Sequence, residues 1–153
     1  MSEYYEHQLV GGVVFSTTKR KQEIGQRLAA HLSFIPGPSG ADGSVDGAIT
    51  NEHGKLIAHF QSKLSANPLD LDEAKNLHSD LMRLKPNICV YVAGIDYKDS
   101  FYRLIRGQAD IAHIDIHLIT LVDVLSASQN YLKAVQSIPE HTGGSIDFSL
   151  FKI

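Results

Sequence analysis

Only one cysteine, Cys89, occurs in the 153 residues. A lone thiol cannot form an intrachain disulfide, so a cross-linked extracellular scaffold is excluded and a reducing compartment fits. Cys89 sits inside the run N-I-C-V-Y-V-A, where a single thiol packs as a small hydrophobe. Surplus positive charge is missing too: 14 Lys and Arg against 17 Asp and Glu give a net charge of −3 with His neutral. The chain is not a generic polycation, and any contact with nucleic acid has to come from a local basic surface. No apolar run reaches the length of a membrane span, and the opening M-S-E-Y-Y-E-H is acidic and aromatic rather than leader-like. A cytoplasmic protein with no membrane association is therefore expected. Neither G-x-x-x-x-G-K-S/T nor G-x-S-x-G occurs, which argues against a P-loop nucleotide hydrolase and a serine hydrolase. No internal repeat is visible.

What is there is an ordinary globular balance, 43% apolar and 20% charged. The length suits one domain, 1–153, with a core over about 19–125 and a C-terminal extension over 126–153. Residues 7–15 read as a short strand or irregular arm. Ser16, Thr17 and Thr18 offer N-cap oxygens for a helix over 19–33, whose Ile24, Leu28, Ala29 and Leu32 form an apolar stripe. After a brief apolar step at Phe34 and Ile35, P-G-P-S-G breaks regular structure. Residues 45–50 and 55–64 read as a hairpin turned at N-E-H-G. A helix over 71–84 and a doubly covered strand over 88–93 follow, then a helix over 99–106 and a strand over 112–120. Residues 121–125 and 131–135 look helical, and the tail forms an edge strand or docks on a partner. The pattern implies an α/β layer structure with a mixed sheet.

The hairpin carries the chemistry. Asp46 opens one strand and Gln61-Ser62-Lys63 closes the next. Residues two apart share a strand face, so Gln61 and Lys63 point the same way, with His59 beside them. A carboxylate, an amide carbonyl and an ammonium at one strand edge suit a divalent cation and a phosphate. A cross-strand ion pair of small worth is the other reading of Asp46 with Lys63.

The segment Gly40, Asp42, Gly43, Asp46, Gly47, followed by Gln61 and Lys63, resembles the PD-(D/E)XK nuclease superfamily, and more narrowly its Mrr-like restriction endonuclease branch. The resemblance covers about residues 19–125. It implies a restriction-endonuclease-like α-β-β-β-α-β core, with a central mixed sheet flanked by helices. It also implies a Mg²⁺-dependent deoxyribonuclease, with Mn²⁺ able to substitute, acting in restriction or phage defence. Asp46, Gln61 and Lys63 would be catalytic. Asp46, Gln61 and the Ser62 main-chain carbonyl would hold the metal, with Glu23 and Asp42 as further acids. Lys19, Arg20, Lys21 and His59 would meet DNA, although a solvated helix face also explains the basic cluster. Cleavage of both strands would need a homodimer or a larger complex. The alternatives are a nuclease-like fold that binds DNA or protein without cutting, and an inhibitor or assembly subunit. The sequence H-I-D-I-H at His113, Asp115 and His117 reads as the polar face of a half-buried strand, because three ligands spread along one strand do not converge on an ion.

Overall fold

A computed structural model of the chain describes residues 3–39, 43–139 and 148–151. The first element is a helix, α1 (Glu3–Val14), where a strand or arm is expected from the sequence. Glu6, Val10, Val13 and Val14 recur at helical spacing and are buried. Gly11 and Gly12 lower the local helix propensity and disguise the pattern. Packing against a later helix, Leu121–Ser126, supplies what propensity does not.

The Thr17 hydroxyl caps α2 (Thr18–His31), accepting from the Arg20 amide at 3.2 Å. Ile24, Leu28 and Ala29 are fully buried. The helix ends earlier than the sequence suggests, where Ser33 takes a left-handed φ of 75°. P-G-P-S does not break regular structure: β1 (Ile35–Ser39) runs through both prolines. It is an edge strand, and an edge tolerates residues that lack an amide proton.

The hairpin of β2 (Val45–Thr50) and β3 (Leu56–Lys63) forms as expected. Gly54 turns it at φ 79°, and Asn51 Oδ1 accepts from the amides of His53 and Lys55. Asp70 caps α3 (Leu71–Leu84), and β4 (Ile88–Ala93) lies inside the sheet with a neighbour on each side. Then come α4 (Asp99–Gly107), a 3-10 turn at Ala109–Ile111, and β5 (Asp115–Thr120). That turn makes β5 shorter than 112–120 and leaves His113 before the strand. A reciprocal Thr120–Asp123 cap starts α5 (Leu121–Ser126), and α6 (Gln129–Ser137) follows.

The strands lie in the order β1-β2-β3-β4-β5. The first three pair antiparallel, and β3, β4 and β5 pair parallel through α3 and α4. The result is an α/β fold with a mixed sheet. Helices α1, α2, α5 and α6 bury one face against Ala58, Phe60, Val90, Val92 and Ile119. Helices α3 and α4 bury Cys89, Tyr91, Ala93 and Leu118 on the other.

The described end of the tail, a 3-10 turn at Phe148–Phe151, packs on α2 of the same chain. Arg20 Nη2 donates to the Phe151 carbonyl at 3.2 Å, and Arg27 Nη1 to the Leu150 carbonyl at 3.1 Å. Phe148–Phe151 forms a turn and not a strand, and the rest of the tail on which an edge strand was expected lies outside the described residues. Among the described residues, no helix is long and apolar enough to cross a membrane.

Candidate functional site

The period of β3 sorts its side chains. Ala58, Phe60 and Ser62 are buried under α2, while His59, Gln61 and Lys63 leave the opposite face. Asp46 stands directly across from Gln61 in the hairpin register, and Ala48 across from His59. Directly paired residues share a face, so Asp46, Gln61, Lys63 and His59 are all on the α3 side.

Helix α3 closes the site. Glu73, Asn76 and Asp80, spaced three and four apart, lie on one flank of the helix. The buried stripe of Ala74, Leu77 and Leu81 lies beside them. With Asp46, Gln61 and Lys63 they line a cleft of about 340 Å³. The Lys63 ammonium is ion-paired with the Glu73 carboxylate. These side chains are 23% and 21% exposed, which screens the pair only in part. Asp80 accepts from Arg83 Nη2 at 3.1 Å. The Gln61 Oε1 atom is buried without a hydrogen-bond partner.

His59 is almost completely enclosed, at 5% exposure, with Nε2 4.0 Å from Asp46 Oδ1. Burial pushes its pKa below the ordinary 6.5, and the nearby Asp46 carboxylate and Gln61 amide offset that only in part. Gln61 lies close enough to favour the imidazolium, yet Nε2 makes no hydrogen bond of acceptable geometry. Cys89, in the next strand of the same row, is pushed far above the usual thiol range by complete burial. It is no nucleophile.

The other expected residues are dispersed. Ser62 enters the expected site through its main-chain carbonyl alone, in strand β3 between Gln61 and Lys63; its side chain is on the opposite face, with Oγ under Gly25 of α2. Glu23 lines a separate small hollow with Thr17, Lys19 and Arg20, and is not part of the cleft. The Arg20 guanidinium is engaged by the Phe151 carbonyl. Lys21 abuts Gly43, so the first turn of α2 borders the loop that leads into β2. Asp42 lies outside the described residues. His113, Asp115 and His117 do not line up on one strand face, because His113 precedes β5; His117 Nε2 lies 3.0 Å from Asp115 Oδ2.

Sequence reasoning missed Glu73, Asn76 and Asp80. The available signal was their helical spacing on the polar flank of α3, immediately after the strand that ends in Lys63. Among the described residues, no three His, Cys, Asp or Glu side chains are grouped to hold a metal ion. Mg²⁺ needs only one or two carboxylates, with waters completing its shell. Asp46, with the unpaired carbonyl of Gln61 beside it, fits that more modest demand.

Fold and cleft together define an α/β protein with an oxygen-rich cleft where the β2–β3 hairpin meets α3. No protein-family model matches the chain, and no curated protein matches it.

Proposed function

We propose that the chain is a metal-dependent DNA endonuclease domain of the PD-(D/E)XK type, related to the Mrr-like branch. The observation that carries this reading is the placement of Asp46 opposite Gln61, with Lys63 on the same face of one cleft. The order α2-β1-β2-β3-α3-β4 supports it as well, since it repeats the α-β-β-β-α-β sequence of the resembled core.

Asp46 and the Gln61 carbonyl would hold Mg²⁺, with the Ser62 main-chain carbonyl as a further ligand. When bound, the ion polarises a phosphoryl oxygen and lowers the pKa of its water. Lys63 presents its ammonium to the phosphate, or to the water that attacks it. Glu73 fixes that ammonium within the cleft. One cleft per chain serves one strand, so cutting a duplex calls for a second copy or a larger complex.

A second reading is a nuclease-like fold that binds DNA without cutting. The neutral amide at position 61 and the tie between Lys63 and Glu73 favour it. Purified chain incubated with supercoiled, linear and single-stranded DNA separates the two. Cutting in Mg²⁺ or Mn²⁺ but not in EDTA, reduced about 10²-fold or more in Asp46→Ala and in Lys63→Ala, is expected for the nuclease. Metal-independent binding with no cutting supports the second reading, and equal cutting by Asp46→Ala removes the assignment of the site.

A further inference from the structure

Asp46 borders a second hollow on the side away from Lys63. This one encloses about 260 Å³, and its character is different. Ile35, Ala48 and His59 stand side by side in one row across β1, β2 and β3. Leu56 and Leu84 add further apolar wall, and Arg83 lies at the margin. The hollow exists because α3 and α4 bury the β4 end of this face but leave Ile35 73% exposed at the β1 end. Exposed large apolar residues occur elsewhere on the chain as well, so the informative feature of this face is the enclosed imidazole. Among the described residues, the buried Nε2 of His59 has no partner at hydrogen-bond geometry, with Asp46 Oδ1 at 4.0 Å, although burial of a polar atom normally demands one.

We infer that this hollow receives an unpaired nucleobase of the substrate strand, while the phosphate of the same nucleotide faces the neighbouring polar cleft. The inference rests on the nuclease reading for its substrate. The division of the surface matches the division of a nucleotide. A base has apolar faces and a hydrogen-bonding edge; the hollow has apolar walls, the His59 imidazole in its lining, and at its margin the Arg83 guanidinium, one nitrogen of which is held by Asp80. The phosphate end meets the polar cleft, where Lys63 offers its ammonium and a cation held at Asp46 would offset the repulsion of the cleft's carboxylates. A base paired within a duplex has its edge occupied and both faces stacked, so it cannot enter. Single-stranded, frayed or flapped DNA is therefore the preferred substrate, and isolated nucleotides share the same recognition chemistry.

Titration calorimetry on the full chain, in Mg²⁺ and in EDTA, tests this without relying on cleavage. The probes are deoxynucleoside 5′-monophosphates, deoxyribose 5-phosphate, inorganic phosphate and a short single-stranded oligonucleotide. Burial of part of a base face against these apolar walls should tighten binding about tenfold over deoxyribose 5-phosphate. Ala48→Leu, which fills the hollow, should erase that gain and leave deoxyribose 5-phosphate binding unchanged. Arg83→Gln, on a side chain 68% exposed and safe for folding, should reduce the gain. Equal binding with and without the base, or no binding of any probe at millimolar concentration, overturns the inference. Base-dependent binding of mononucleotides with none of the oligonucleotide overturns the assignment to a substrate strand. Plasmid cutting is scored separately. A chain that cuts but shows no gain from the base loses only this inference, whereas one that shows the gain and never cuts loses the nuclease.

Discussion

Glu73 occupies the third position of its helix and is also the counter-ion of Lys63. Its amide is capped by Asp70 at 3.2 Å, which leaves the carboxylate available to the cleft. Glu73→Gln keeps the shape and removes the charge. Unfolding free energy should shift by about 1 kcal/mol or less, since the pair is partly exposed. DNA cleavage, by contrast, should fall about tenfold or more as the ammonium loses its anchor. Urea denaturation and cleavage rates measured on one preparation check both halves; a variant that cuts normally would show that Glu73 serves the fold alone. His59 has a separate consequence for stability. Because its folded pKa lies below the ordinary 6.5, the unfolded chain binds the extra proton first as pH falls. The stability due to neutral His59 is complete above pH 6.5 and declines below it. Urea midpoints at pH 7.5 and pH 5.0 should therefore diverge more in the parent than in His59→Gln, and parallel behaviour would refute this account.

At the scale of elements, α2 packs closely on the hairpin. A Cβ on Gly25 would stand 2.6 Å from Ser62 Oγ and 2.7 Å from Val45 Cγ2. Gly25→Ala should destabilise by about 1–3 kcal/mol through overpacking, despite alanine's better helix propensity. A higher melting temperature for the variant would contradict that packing. The same contrast between pattern and packing governs how much of the fold was readable. Helix α3 has its bounds at the expected residues, because Asp70 and a left-handed Lys85 punctuate a clean apolar stripe. Strand β4 was equally clear, as a short continuous apolar run. Helix α1 was not, because its buried valines are interrupted by glycines and its stability comes from α5, far along the chain. Strand β1 was hidden by prolines that only an edge position permits. The strand half of the candidate site was readable for a local reason: a period of two puts His59, Gln61 and Lys63 on one face. The helical half was not, since D-x-x-E at Asp70–Glu73 reads as a helix cap until the crossover brings α3 back over β3.

At the scale of the molecule, the sheet is a partition. Among the described residues, one side is covered by four helices, and the other by α3 and α4 from β3 to β5, which leaves the β1–β2 end for the cleft and the hollow. Strand β3 belongs to both sides, so its residue numbers encode two different selections. A saturation scan read once for cellular abundance and once for DNA cleavage should split the strand by odd and even. Substitutions at 58, 60, 62 and 64 should deplete the protein itself, since these positions are almost fully buried. Substitutions at 61 and 63 should leave abundance near normal and silence the activity, with enclosed His59 failing in both. Deleting one residue from the strand would exchange the two sets and fail both assays at once.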